Sequence, residues 1–294
     1  MEEQVVIIAE EKSWIEKYKA YAYLLAPISI LTIFMFWPFF KTLERSLFLT
    51  NNLGQNAKFL GWANYSELLT SPSFWNSVLV TFNFVVIVVI FGVLLGFLTA
   101  LLCQRTFPGI KFFSTSYAMP MAIASAGMAM IFQVMLNPTV GIINKIMGTY
   151  INYLSQPNSA LLVIGLLTGW LNSGMNFLYF SSGIASIDES LYESSSIDGA
   201  NRWQQFLYIT LPSLKPTLFF VIVTNVINAF QGFGQINILT KGGPGQATNV
   251  IVYDIYRNAF MNYRYGFASA ESVILFLIVM ILTIIMFKLR RKES

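Results

Sequence analysis

Long apolar stretches are the feature that most restricts what this chain can fold into. About six runs approach the length of about 20 residues that a helix needs to cross a bilayer core. They extend over Ala22–Phe40, Val78–Cys103, Phe112–Leu136, Leu161–Ile184, Leu214–Leu239 and Ser272–Phe287. Their length, and the absence of alternating apolar and polar residues, favour helices over barrel strands. The sequence therefore predicts an all-α membrane protein with six transmembrane helices.

The composition argues against several other classes of protein. Of the 294 residues, 55% are hydrophobic and only 11% are charged, whereas a soluble domain carries about 25% charged residues. This argues against a soluble enzyme and a nucleic-acid binder. The chain has no His and only one Cys, Cys103. An internal disulfide, a Cys/His zinc site and His-based catalysis are therefore excluded, and we predict no metal site, no cofactor bound by this chain and no catalytic residue.

The positions of Lys and Arg predict the orientation, because such residues are more frequent in cytoplasmic loops. One side of the predicted spans carries the denser set of basic residues, which are Lys12, Lys17, Lys19, Arg105, Lys111, Arg202, Lys215, Lys288, Arg290, Arg291 and Lys292. We expect a multi-pass protein of the cytoplasmic membrane with both termini inside. Residues 1–21 form a cytoplasmic N-terminal segment, 22–288 the six-helix domain, and 289–294 a basic tail.

Few ionisable residues fall inside the predicted spans. A carrier driven by protons or sodium usually keeps such residues at mid-membrane, where they gain and lose charge. The nearest candidate is Glu271, at the start of the sixth run, and we expect its carboxylate to extend to the outer membrane interface. The chain also has no phosphate-binding G-x-x-x-x-G-K-[ST] motif. We therefore expect the energy for any transport to come from another protein.

The loop between the fourth and fifth runs, residues 186–212, is polar and longer than a simple connector. Ser186 and Glu189 have the spacing of a capping box, which predicts a helix start. Asp198-Gly199 predicts a turn, and a second short helix should begin at Asn201. The sequence predicts a helix–turn–helix on the cytoplasmic face, of a kind that fits a groove on a partner protein.

This loop resembles the Glu-Ala-Ala loop of the permease subunits of ATP-binding-cassette importers. The matching positions are Glu193, Asp198, Gly199, Ala200, Ile209, Leu211 and Pro212. The sequence departs from the family pattern at Ser194 and Ser195, where the family favours Ala. Both serines are small, so we expect close packing in a partner's groove to be retained.

Other segments are similar to carbohydrate-importer permeases of the MalF/UgpA type. They are residues 59–65, the segment Leu239–Pro244, and the segments 256–260 and 265–270. The resemblance covers nearly the whole chain from the first predicted span onward. It implies the type I importer, or MetI-like, permease fold in its compact form with six spans.

The resemblance also implies partners and roles. A second permease, expected to be a different chain, would complete a heterodimer. Two ATPase subunits would bind ATP and Mg²⁺, and an extracellular solute-binding protein would deliver the substrate. In the ATPase-coupling loop, Glu193 matches the glutamate that pairs with a basic residue of the ATPase. Asp198, Gly199 and Ala200 would shape the turn beside it. On the outer side, Arg257 and Arg264 would either meet acidic groups of the binding protein or be solvated.

In this family the helices before and after the loop line the substrate pathway. The candidates on those helices here are Trp170, Asn172, Asn176, Asn225, Asn228 and Gln231. Amides can both donate and accept hydrogen bonds, and aromatic rings can cover the apolar face of a sugar. Each of these polar residues has an alternative role, which is to hold two helices together.

The sequence leaves three functions open. The first is a permease subunit for sugars or oligosaccharides. The second is a permease for sn-glycerol-3-phosphate, although no Lys or Arg lies well inside a predicted span to bind a phosphate. The third, from a different class, is a secondary carrier that acts without an ATPase.

Overall fold

The computed structural model describes residues 14–104 and 108–291; residues 1–13, 105–107 and 292–294, including most of the predicted N-terminal segment and half of the basic tail, lie outside this description. Helix α1 (Trp14–Leu31) continues through a π-helical turn at Thr32–Phe36 into α2 (Trp37–Arg45). The first predicted span therefore lies within a longer continuous helical stretch. All side chains from residue 23 to residue 40 are exposed.

A small antiparallel hairpin follows, which the all-α prediction did not include. Strands β1 (Phe48–Thr50) and β2 (Asn56–Phe59) are followed by helix α3 (Ala63–Thr70). The buried side chain of Asn64 donates hydrogen bonds to the carbonyl oxygens of Ser46, at 2.8 Å, and Phe48, at 3.1 Å. These bonds attach α3 to the hairpin, and we refer to this part of the molecule as the hairpin end.

Helix α4 (Pro72–Cys103) begins with Ser71 as its N-cap and forms the second span. The third predicted span is not one straight helix. It consists of α5 (Ile110–Ala118), a 3₁₀ turn at Met119–Ala122 and α6 (Ser125–Met135), and the two halves meet at 103°. Pro120 lies in the turn, and extended backbone at Ile123 and Ala124 interrupts the helical hydrogen bonds.

The short helix α7 (Ile142–Met147) precedes α8 (Pro157–Ala185), which is the fourth span. The most extensive contact between two helices in the described part of the chain is that of α4 with α8. A Cβ atom at Gly92 would lie 2.9 Å from the carbonyl oxygen of Gly169, and one at Gly96 would lie 2.5 Å from Cβ of Asn176. Glycine is therefore required at both positions, as at other close helix contacts in membranes.

The 186–212 loop contains α9 (Glu189–Ile197), α10 (Arg202–Gln205), a π-helical turn at Phe206–Thr210 and the single turn α11 (Leu211–Ser213). The fifth span is α12 (Lys215–Phe230), which breaks at residues 231–233 before α13 (Gly234–Leu239). We call the part of the molecule that carries this loop the loop end.

Helix α14 (Ile251–Tyr256) and a π-helical turn at Arg257–Met261 precede α15 (Tyr265–Arg291), the sixth span. In the described part of the chain, five helical stretches are long and apolar enough to cross a membrane, or six if the bent third pair crosses once. This agrees with the predicted number. The main core lies between α4, α6, α8 and α12–α14, and includes Phe84, Val88, Phe132, Ile164 and Phe230.

Candidate functional site

The start of α9 differs from the predicted capping box. Asp188, rather than Ser186, is the N-cap, and its Oδ1 accepts a hydrogen bond from the Ser190 backbone N–H at 3.0 Å. Hydrogen bonds from the backbone and side chain of Ser190 hold the pKa of Asp188 below its usual value. Ser186 instead donates to the carbonyl oxygen of Gly183 at 2.8 Å and so ends α8. The capping-box prediction was therefore wrong by two residues.

The predicted turn and second helix are confirmed. Asp198 is the C-cap of α9, and Gly199 adopts a left-handed conformation with φ of 83°. Asn201 and Gln204 then form a reciprocal capping box, with distances of 2.8 Å and 2.9 Å between side chain and backbone. Glycine adopts a positive φ at little cost, so Gly199 permits the sharp change in chain direction between α9 and α10.

The loop presents an exposed surface in which a carboxylate and apolar side chains occur together. Glu193, Asp198 and Gly199 are exposed, and Ala200 is half-buried. Ile197 is 87% exposed and Trp203 is 66% exposed. Exposed apolar side chains that lie together in one patch are typical of protein–protein contact surfaces. Beside them, between the loop and the end of α4, lies a groove of about 1170 Å³ that Ala200 helps to line.

A second site lies between α8 and α12, inside the span region. Its cavity has a volume of about 240 Å³. The lining residues are Asn172, Met175, Asn176, Tyr179, Thr224, Asn225, Ile227 and Asn228. The structure therefore brings together four of the six residues predicted for a substrate pathway. All eight lining side chains are uncharged.

Two of these amides bind each other. Asn176 Nδ2 donates to Asn225 Oδ1 at 3.1 Å, and Asn225 Nδ2 donates to Asn176 Oδ1 at 2.6 Å. Both side chains are buried. The pair links α8 to α12. Polar residues in spans can have this alternative role of holding two helices together. Asn172 is half-buried and Asn228 is exposed. Their amides are therefore more accessible than those of the buried pair.

The remaining two predicted residues lie elsewhere. Trp170 packs against Phe132 of α6, with ring centroids 5.7 Å apart, at the edge of the main core. Gln231 is exposed at the C-cap of α12, where its amide donates to the Ile227 carbonyl oxygen at 3.5 Å. Neither residue is among those that line the cavity.

The structure adds Met175, Thr224 and Ile227 to the cavity lining. Helical spacing could have indicated Met175 and Thr224 from the sequence. Met175 lies three residues after Asn172, and Thr224 lies four residues before Asn228, so each shares a face with a predicted amide. Met175 and Ile227 are apolar, so a choice limited to polar and aromatic side chains leaves them out.

Glu271 does not extend to the membrane interface as predicted. Its side chain is fully buried at the hairpin end, and Oε2 accepts a hydrogen bond from Asn258 Nδ2 at 3.1 Å. Its Oε1 atom has no hydrogen-bond partner in the described part of the chain. The π-helical turn at Arg257–Met261 carries Asn258 and packs on α15, which accounts for the burial.

The two outer arginines that were considered as partner contacts are paired within the chain. Arg257 forms an ion pair with Asp254 in the same segment. Arg264 contacts both carboxylate oxygens of Glu67, at 2.7 Å and 2.8 Å, and lies over the ring of Phe267. The contacts of Arg264 connect α3 to the start of α15, whereas the Arg257–Asp254 pair joins α14 to the π-helical turn that follows it.

Comparison with known proteins places this arrangement in a family. Residues 92–293 match the family described as binding-protein-dependent transport system inner membrane component. The sn-glycerol-3-phosphate transport system permease protein UgpA of Agrobacterium fabrum (strain C58 / ATCC 33970) is 38% identical over 275 residues, covering 92% of this chain and 94% of that protein. UgpA of Rhizobium meliloti (strain 1021) is 36% identical over the same shares of the two chains.

Solved structures show the same fold. A chain in the crystal structure of a bacterial ABC transporter involved in the import of the acidic polysaccharide alginate matches with a TM-score of 0.85 and 24% identity, covering 95% of this chain and 98% of that one. The alginate transporter in complex with an alginate pentasaccharide-bound periplasmic protein matches with a TM-score of 0.83 and 23% identity, covering 96% and 98%. The family match spans more than half of the chain and the relatives span nearly all of it, and so the chain belongs to the family of binding-protein-dependent transport system inner membrane components.

Proposed function

We propose that this chain is one permease subunit of an ATP-driven importer of neutral sugars or oligosaccharides. The observation that carries the substrate class is the cavity between α8 and α12, whose eight lining side chains are all uncharged. Asn172 and Asn228 offer amide donors and acceptors for hydroxyl groups. Tyr179, packed at 5.1 Å against Phe220, offers an aromatic ring for the apolar face of a sugar.

The coupling to ATP is proposed to run through the 186–212 loop. Its exposed surface around Glu193, Ile197 and Trp203 would dock on an ATPase subunit, which supplies the bound ATP and Mg²⁺. Glu193 would pair with a basic residue of that subunit. A charge pair that becomes buried on docking costs about 3–5 kcal/mol to break, because one charge then stays buried alone.

Three further partners complete the proposed assembly. A second permease would form the other half of the pathway, a second ATPase would bind beneath it, and a solute-binding protein would dock at the hairpin end. The loop end would then face the cytoplasm, with both termini on that side. This orientation agrees with the denser basic residues near the loop end, including Lys288 and Arg290.

A second substrate, sn-glycerol-3-phosphate, is favoured by one observation, the names of the relatives. The chemistry of the cavity argues against sn-glycerol-3-phosphate as the substrate. A phosphate is best bound by Arg, Lys or a set of backbone N–H groups, and none of the described residues that line the cavity is basic. We expect a positive charge for a phosphate to come from the second permease.

The substrate can be tested with the importer reconstituted in proteoliposomes with its binding protein and ATP. We expect uptake of a neutral oligosaccharide, and we expect Asn172→Ala and Asn228→Ala to raise its KM about tenfold each, because each removes about 1.5 kcal/mol of hydrogen bonding. Thr168→Ser, a change on α8 outside the cavity, is the control. Saturable uptake of sn-glycerol-3-phosphate, with no uptake of neutral sugars, would replace the first substrate by the second.

A further inference from the structure

Three side chains connect α9 to α10 across the turn of the loop. Gln205 Nε2 lies 2.9 Å from Ser196 Oγ, 3.0 Å from Ser195 Oγ and 3.2 Å from the carbonyl oxygen of Tyr192. All three acceptors belong to α9, whereas Gln205 is the last residue of α10. We call Gln205, Ser195 and Ser196 the amide–serine brace.

The donors and acceptors of the brace are mutually consistent. Ser195 and Ser196 each donate their hydroxyl hydrogen to the Tyr192 carbonyl oxygen, at 2.9 Å and 2.7 Å. Their oxygen lone pairs remain available for the two N–H groups of the Gln205 amide. Each hydroxyl can therefore donate once and accept once, and the two N–H groups of Gln205 serve the two serine oxygens. The 3.2 Å contact of Gln205 with the Tyr192 carbonyl oxygen is not needed for this pattern.

The residue types of the brace support a specific role. Serine inside a helix is no better than neutral for helix stability, because its hydroxyl competes for backbone hydrogen bonds. Ser195 also occupies a position at which the loop pattern has Ala. An alanine at that position would retain the helix and lose the contact with Gln205. The contact with α10 therefore explains the serine better than helix stability does.

Helix α9, which carries the two serines of the brace, also contacts the segment that leads into α12. The hydroxyl groups of Tyr192 and Thr210 are 2.8 Å apart, and Thr210 is buried in the π-helical turn that leads through α11 into α12. In the same turn, Phe206 packs on Phe97 of α4. By contrast, Gly199 has no atom within 4 Å of its Cβ position. Backbone hydrogen bonds hold the turn on α9, because the N–H groups of Gly199 and Ala200 donate to the carbonyl oxygens of Ser196, at 3.2 Å, and Ser195, at 2.9 Å. The contacts of Gln205 add a connection from α10 back to α9.

We propose that the amide–serine brace makes α9 and α10 move as one rigid body. A displacement of α9 by the ATPase then reaches α12 instead of being absorbed by bending at Gly199. This rests on the proposed coupling role of the loop and adds the part that transmits the movement. Gln205, Ser195 and Ser196 are positioning residues in this scheme, because they act through the two helices.

The test is the number of substrate molecules imported per ATP hydrolysed by the reconstituted importer. We expect Gln205→Leu, and separately the double variant Ser195→Ala/Ser196→Ala, to lower this ratio about fivefold, which is the factor for one lost hydrogen bond of typical strength. The variant combining all three changes should be no worse than Gln205→Leu, because the residues act as one network. The amount of assembled complex should not change.

Ser194→Ala is the matched control. Ser194 lies on the same helix and also stands where the family pattern has Ala. Among the residues that the structure describes, its hydroxyl donates to the Leu191 carbonyl oxygen and forms no hydrogen bond with α10. The Ser194→Ala importer should therefore import as many molecules per ATP as the wild type. If Gln205→Leu fails to assemble, the serine double variant still decides the question. If the brace variants import as many molecules per ATP as the wild type, while Glu193→Lys inactivates the importer, the brace alone is overturned. Uptake that survives Glu193→Lys would instead overturn the coupling role on which it rests.

Discussion

At the residue scale, two glutamates show how surroundings decide the role of a carboxyl group. Glu193 is exposed on α9, and no ion pair involves it in the part of the chain that the structure describes. Glu271 is fully buried against Asn258. The first is available to another protein, whereas the second contributes to the packing of α15. Replacing each should therefore affect a different property.

Changing Glu193 to Lys should abolish uptake and leave the amount of chain inserted in the membrane unchanged. The substitution places a positive charge where the ATPase is expected to present a basic residue, and like charges repel in a docked interface. Glu189→Lys is the control, because it makes the same change of charge on α9 at an exposed residue that is not one of the matching positions of the loop pattern. Uptake at the wild-type rate in cells producing Glu193→Lys would remove Glu193 from the coupling mechanism.

Changing Glu271 to Ala should lower the free energy of unfolding by about 2–4 kcal/mol, because it leaves a cavity and removes the acceptor for Asn258. Glu271→Gln keeps the shape and an acceptor oxygen, so it should stay within about 1 kcal/mol of the wild type. Thermal unfolding of the purified chain in one detergent measures both. Equal losses in the two variants would show that the charge of Glu271, and not its packing, is required.

At the scale of helices, the sequence predicts those features that depend on neighbours along the chain. The apolar runs, the turn at Asp198-Gly199 and the helix start at Asn201 are of this kind and are confirmed. Pro120 could indicate a break in the third span but not its angle of 103°, and the burial of Glu271 depends on packing against the segment that carries Asn258. The Asn176–Asn225 pair is a contact between distant segments, since its partners are 49 positions apart in the sequence. Residue spacing could nominate both amides but could not show that they bind each other.

The contact between α4 and α8 provides a test at this scale. Gly96→Ala would bring a methyl group to 2.5 Å from Cβ of Asn176. We expect it to destabilise the protein by about 1–3 kcal/mol, the usual cost of overpacking. Gly127→Ala is the matched control, since its nearest contact is at an ordinary 3.9 Å and alanine favours a helix. Comparable unfolding temperatures for the two variants would contradict the close approach at Gly96.

At the scale of the whole molecule, several surfaces are incomplete without partners. The side chains from residue 23 to residue 40 are exposed along the first span, and the cavity between α8 and α12 is not fully enclosed. The loop end presents Ile197 and Trp203 to the outside. Lipid can cover an apolar helix, but the proposed substrate pathway and the proposed coupling surface would require other proteins. We therefore regard the chain as one component of an assembly.

The most direct measurement is purification of this chain from its native membrane in mild detergent, followed by mass spectrometry of the proteins that accompany it. The account predicts an ATPase, a second permease and, with substrate present, a solute-binding protein. The amount of ATPase should fall sharply with Glu193→Lys. Recovery of the chain alone, under conditions that preserve other membrane complexes, would contradict the account and favour a carrier that works without an ATPase.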